Sequence, residues 1–161
     1  MYMIQATTET NFTAYISTED NRIDTAVEKS QIRHLIKIIN DMSGDLHYCY
    51  PTETINDRYT EMTFTYNANP DRWLGQIKLI PSGYYKYEVY EVAWAGTVVM
   101  ESSYAPGTEG TVLTPPASNK GVVKGLVTKG KLLLTDKSGT AQVQYTQHQE
   151  PKVPNYVYYE Q

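Results

Sequence analysis

The run Gly83-Tyr84-Tyr85-Lys86-Tyr87-Glu88-Val89-Tyr90-Glu91-Val92-Ala93-Trp94 constrains the fold more than any other stretch of this 161-residue chain. Tyr85, Tyr87 and Val89 fall on one side and Lys86, Glu88 and Tyr90 on the other, the two-residue period of a strand. Aromatic and β-branched residues suit such a pleated, half-buried surface. Pro81-Ser82-Gly83 ahead of the run supplies a tight turn, so a long strand is expected to start at that corner.

The same period recurs at 59–66, with Met62, Phe64 and Tyr66 on one face and Glu61, Thr63 and Thr65 on the other. Residues 12–16 form a further candidate strand, and residues 73–80 another after the loop Asn67-Ala68-Asn69-Pro70-Asp71. Residues 31–39 are ambiguous, because Ile32, Leu35, Ile36 and Ile39 also fit a helix face at i, i+3, i+4 and i+7. Three features favour a strand there: the isoleucines, the turn-rich Asn40-Asp41-Met42-Ser43-Gly44-Asp45, and the β-prone Leu46-His47-Tyr48-Cys49-Tyr50 behind it. A hairpin is expected, ended by Pro51, which has no N–H for the ladder.

Strands at this spacing, with turn signals between them, indicate an all-β antiparallel sandwich. A tyrosine soon after a corner can return its hydroxyl to upstream backbone, the tyrosine-corner device of immunoglobulin-like sandwiches, and Tyr85 and Tyr87 are the candidates. Composition agrees, since tyrosine supplies 15 of the 19 aromatic residues and only 20% of the chain is charged. No apolar run approaches the roughly 20 residues of a membrane-spanning helix, and the start has no signal-peptide pattern. A soluble protein made in the cytoplasm, with no membrane partner, is expected.

Three parts are expected: an N-terminal arm or first strand over 1–27, a sandwich body over 28–103 and an extended C-terminal arm over 104–161. Residues 1–103 carry 8 basic and 14 acidic side chains, whereas residues 104–161 carry 6 basic and 4 acidic ones. A weakly basic arm would be drawn to acidic surfaces, yet neither part is basic enough for a nucleic-acid partner. Residues 105–144 hold no aromatic residue, and the segment 104–161 has 5 of the 8 prolines and 6 of the 10 glycines. Within it, residues 121–127 and 131–135 read as a small hairpin turning at Thr128-Lys129-Gly130, and such a hairpin must dock to be stable. Tyr145, His148, Tyr156, Tyr158 and Tyr159 are the expected partner-binding residues, on a polar strand suited to sheet-edge addition.

No motif for a nucleophile, a phosphate or a zinc protease occurs, so no catalytic residue and no cofactor is nominated. Cys49 is the only cysteine, and His34, His47 and His148 lack metal-site spacing, so no metal is expected. His47 and Cys49 share a strand face, where a packed cysteine beside a half-exposed histidine is the simpler account than a thiol–imidazole pair. Asp41 and Asp45 around Gly44, and Asp57 with Glu61, read as turn residues in preference to calcium ligands. The sequon Asn11-Phe12-Thr13 has no supporting signal of secretion. Tyr84, Tyr85, Tyr87, Tyr90 and Trp94 fit a core and an interface better than a stacking platform for sugars or bases. A carbohydrate- or receptor-binding module remains the alternative from that class.

Several phrases carry a resemblance: Lys29-Ser30-Gln31-Ile32-Arg33-His34-Leu35-Ile36-Lys37, the turn Asn40-Asp41-Met42-Ser43-Gly44, and Arg58-Tyr59-Thr60-Glu61-Met62-Thr63-Phe64. Gly83-Tyr84-Tyr85-Lys86-Tyr87-Glu88-Val89-Tyr90, Gln144-Tyr145-Thr146-Gln147-His148 and Tyr156-Val157-Tyr158-Tyr159 complete it. Together they resemble small virion proteins of tailed bacteriophages, including the crAss-like phages of Bacteroidetes and related marine phages. The resemblance implies an immunoglobulin-like sandwich serving as an auxiliary (decoration) capsid protein, or else as a head–tail or tail component. It also implies location in the virion and contact with the major capsid protein or other virion proteins, with self-association as a further contact.

Overall fold

Nine strands make two sheets that pack face to face in the computed structural model, which describes residues 3–56, 58–113 and 119–137. They are β1 (Met3–Thr7), β2 (Phe12–Ile16), β3 (Ile32–Asn40), β4 (Leu46–Cys49), β5 (Thr52–Ile55), β6 (Thr60–Tyr66), β7 (Gln76–Ile77), β8 (Gly83–Ala93) and β9 (Val122–Thr135). One sheet has the order β1-β9-β8-β3-β4; the other has β2-β6-β5, with β7 added to β6. The chain is all-β, and no helix of seven or more residues occurs among the described residues.

Alternation puts one face of each sheet into a shared core. Ile36, Ile38, Tyr85, Tyr87, Val89, Leu132 and Leu134 of the larger sheet meet Ala14, Ile16, Met62 and Phe64 of the smaller one. Each large apolar side chain buried there contributes about 1.5–3 kcal/mol before entropy is counted. Phe12 closes one end by stacking on Phe64, with ring centroids 4.6 Å apart.

The hairpin expected over 31–50 is present as β3 and β4, paired antiparallel with Ile36 opposite Cys49. Pro51 follows β4, and there the chain changes sheets to become β5. Within residues 1–27, expected as an arm or first strand, the candidate strand 12–16 is present as β2, paired antiparallel with β6, and β1 adds a strand that runs parallel to β9 at the edge of the other sheet.

Two further expectations are corrected. Residues 73–80 do not form one strand. The Asp71 side chain accepts the Trp73 N–H at 3.0 Å and starts one turn of 3-10 helix, Arg72–Leu74, before left-handed Gly75 redirects the chain into the two-residue β7. Residues 121–135 do not form a hairpin. They form β9, paired with β8 from Gly83 opposite Leu134 to Ala93 opposite Val122, and two register shifts accommodate its greater length. Gly130 within it and Gly121 just ahead of it resemble turn signals but meet aromatic rings: a Cβ on Gly130 would lie 2.6 Å from the Tyr87 hydroxyl, and one on Gly121 would lie 2.7 Å from the Trp94 ring. The sandwich therefore extends well past the boundary expected at residue 104, and β9 lies between β1 and β8.

Candidate functional site

The outer face of the five-stranded sheet holds a concentrated set of polar and aromatic contacts. After Trp94 the described residues 95–113 leave the sheet and fold back over this face, and Gly121, ahead of β9, donates its backbone N–H to Tyr104 O at 2.8 Å. Beneath this segment, Leu35, Tyr50, Val92, Trp94 and Ala105 form a second buried cluster, with Tyr48, Trp73, Tyr90, Val98, Met100 and Val123 packed around it.

Four side chains grip four successive backbone carbonyls of this segment. Trp94 Nε1–H donates to Tyr104 O at 3.2 Å, Trp73 Nε1–H to Ala105 O at 3.2 Å, Tyr50 Oη–H to Pro106 O at 2.5 Å and Arg72 Nη1–H to Gly107 O at 2.5 Å. Trp and Tyr are suited to this, since each buries a large ring and keeps one polar atom for the backbone. The Arg72 guanidinium lies 5.4 Å from the Tyr48 ring centroid and 5.5 Å from that of Trp73, so a cation–π contact orients the donor. Asn119 ties the two ends of the segment together, accepting from Gly96 N at 2.8 Å and donating to Thr97 O.

Glu109 anchors the segment electrostatically. Its carboxylate takes Lys37 Nζ at 2.5 Å and the Tyr48 hydroxyl at 2.7 Å. Burial works to raise the Glu109 pKa, but the hydrogen bonds from Lys37 and Tyr48 outweigh it and hold the carboxyl below its usual range. Burial, reinforced by Glu109, pushes the Tyr48 hydroxyl well up, so it stays a neutral donor. Tyr90 donates to Glu88 at 2.5 Å on the same face.

A second polar cluster lies between the sheets. His34 and Glu53 have side chains only 2% and 1% exposed, with Nδ1 and Oε1 2.7 Å apart. Glu53 Oε2 also accepts the His34 backbone N–H at 2.6 Å, where β4 no longer accompanies β3. Glu91, directly across from His34 on β8, is buried and accepts the backbone N–H groups of Ile23 and Asp24 at 3.1 and 2.7 Å. Burial works to lower the His34 pKa, yet the charge and hydrogen bond of Glu53, with Glu91 and Glu19 behind it, raise it above the ordinary value.

The residues nominated from sequence are distributed as follows. The Tyr85 hydroxyl donates to Pro81 O at 2.6 Å, four residues upstream. Tyr87 is buried against Gly130. Tyr85, Tyr87 and Trp94 are buried, Tyr90 is half-buried and Tyr84 is exposed; the five rings do not share a face. Cys49 is buried in the inter-sheet core, where burial pushes its thiol pKa far up; burial also lowers that of His47, whose ring meets Tyr85 edge-on at 6.4 Å. Asp41 pairs with Lys131 at 2.6 Å, and its turn is closed by Asn40 Oδ1, which accepts from the backbone of Met42 and Ser43. Tyr145, His148, Tyr156, Tyr158, Tyr159 and Asp57 lie outside the described residues. Among the described residues, no group of three or more His, Cys, Asp or Glu side chains is placed to hold a metal ion.

Tyr48, Tyr50, Arg72, Trp73 and Glu109 were not nominated. Their signal is weak, because the donors come from three separate segments of the chain and converge on 104–107 only in the fold. No protein-family model, no curated protein and no solved structure matches the chain.

Proposed function

We propose that this chain is an immunoglobulin-like β-sandwich working as a non-catalytic structural module of a tailed-phage particle, in the auxiliary capsid role. The fold part is supported by strand order: β2-β6-β5 corresponds to strands B, E and D of such sandwiches, and β9-β8-β3-β4 to G, F, C and C′. The hydrogen bond from Tyr85 to Pro81, at the entry to the F-like strand, has the form of a tyrosine corner. One departure is plain: two residues later, where antibody domains have the second cysteine, this chain has Tyr87 packed on Gly130.

The observation that carries the functional part is the grip on residues 104–107. Tyr50, Arg72, Trp73 and Trp94 on this aromatic surface commit their donors to the protein's own backbone. That arrangement makes a fixed exterior suited to lasting contacts, unlike a site that must admit and release a substrate. A sugar-stacking platform finds less support, since three of its five rings are buried.

The partners proposed are the major capsid protein or other virion proteins, and a head–tail or tail position is the alternative within the same class. Residues 138–161, with Tyr145, His148, Tyr156, Tyr158 and Tyr159, are proposed to make the particle contact. The test is quantitative mass spectrometry of purified particles. The full chain is expected at a fixed ratio to the major shell protein, and a chain ended at Lys137 is expected to be lost from particles. Absence of the full chain from particles would overturn the virion role.

A further inference from the structure

Residues 95–113 cover only part of the larger sheet's outer face. Beyond it the pairing registers define a row with one side chain from each strand: Leu46, Ile39, Lys86, Lys131 and Met3. Leu46 is 52% and Met3 42% exposed, and Tyr84, one row further along, is 40% exposed. Lys86 and Lys131 stand directly opposite each other on adjacent strands, a like-charge pairing that costs stability. The neighbouring row places Glu88 between Lys37 and Lys129, so opposite-charge pairing is available to this sheet and is not used one step away.

Lys131 is partly neutralised by Asp41, whereas neither Lys86 nor Lys129 has a carboxylate within ion-pair distance among the described residues. A shallow depression of about 340 Å³ lies between them, lined by Lys86, Tyr87, Glu88, Lys129, Gly130 and Lys131. This is a locally positive, partly apolar surface on a chain of net charge −4. We propose that it docks a polypeptide segment of a partner protein whose contacting side alternates carboxylates with aliphatic side chains. Carboxylates would meet Lys86, Lys129 and Lys131, and aliphatic groups would cover Leu46, Ile39 and Met3. A phosphate backbone would satisfy the lysines but leave that apolar rim beneath charge.

The proposal rests on the assembly role above and assigns it a surface distinct from residues 138–161. Its test is fluorescence anisotropy with a labelled peptide Glu-Ser-Leu-Ser-Glu-Ser-Leu-Ser-Glu, its Gln-for-Glu counterpart and an oligothymidylate. The acidic peptide is expected to bind, to weaken with added salt, and to bind about tenfold or more weakly to the double variant Lys86→Gln, Lys131→Gln. Lys124→Gln, whose lysine pairs with Asp24 elsewhere, should bind as the parent does. Lys86→Glu should lose peptide binding while its Tm rises by about 1–3 °C, because it places an acid opposite Lys131. Such opposed changes are not expected of a purely structural pair.

Equal binding of the Gln peptide, tighter lysine-dependent binding of the oligothymidylate, or no effect of the lysine substitutions would each overturn the proposal. So would binding seen only in a chain ended at Lys137, which would make the protein's own C-terminal segment the occupant. Peptide binding by a protein absent from particles would remove the virion role and keep the surface. Presence in particles without peptide binding would remove the surface alone.

Discussion

His34 and Glu53 come from strands of different sheets and are almost fully shielded from water, so each ion is costly without the other. Glu53→Ala would leave His34 and its backbone N–H without their acceptor, and a loss of about 3 kcal/mol in urea denaturation is expected. The pair also predicts a pH profile. Glu53 raises the His34 pKa against the opposing effect of burial, so its stabilisation is complete below the ordinary histidine value of 6.5. It is lost as pH rises through the raised value. The urea midpoint should therefore fall on going from pH 6 towards alkaline pH, and His34→Gln should flatten that fall; a parent profile already flat would refute the assignment. Tyr50 offers a smaller case. Tyr50→Phe keeps the ring but leaves the buried Pro106 carbonyl without its 2.5 Å donor, at a cost of about 1–3 kcal/mol. The accompanying sign should be faster proteolytic cleavage within 95–121.

At the level of elements, strands that bury one face against a solvated other face were legible from alternation alone. β8 and β6 are the clear cases, with Tyr85, Tyr87 and Val89 buried as expected and Met62 and Phe64 buried opposite them. β9 was not legible as one strand, because Gly125 and Gly130 carry the same local signal as a turn; Gly130 is explained only by Tyr87 on the partner strand, and Gly125 by its positive φ of 149°. Gly130→Ala tests that account. The new Cβ would lie 2.6 Å from the Tyr87 hydroxyl and 2.7 Å from two of its ring carbons, so a loss of about 1–3 kcal/mol is expected in thermal denaturation. Tyr87→Phe should not rescue it, since the ring carbons remain. A rescue would show that the contact is with the hydroxyl alone. The 3-10 turn Arg72–Leu74 was hidden for a related reason: a cap by Asp71 and a left-handed Gly75 act over three residues, too few for periodicity to register. Trp73 is consequently held where its indole N–H reaches Ala105, a relation between distant segments.

For the whole molecule, sequence pattern gave the strands but not their neighbours, and the neighbours decide where the folded unit ends. Proline, glycine and a missing aromatic signal made residues 104–161 read as an appendage. β8 supplies the ring where β9 has Gly130, since Tyr87 lies over it, and just beyond the paired strands Trp94 lies over Gly121. β9 also carries Val127, Leu132 and Leu134 into the inter-sheet core and receives β1 along its full length, from Met3 opposite Lys131 to Thr7 opposite Thr135. Removing it would expose one edge of β8, leave β1 without a neighbour in its sheet and uncover the core. A chain ended at Ser103 is therefore expected to give no cooperative unfolding transition. A chain ended at Lys137 retains all nine strands among the described residues and should unfold in one step, with a midpoint within a few degrees of the parent's. Circular dichroism across a thermal ramp distinguishes the outcomes. A cooperative transition in the chain ended at Ser103 would mean that β1 to β8 close a core alone, and would return the boundary to where composition first placed it.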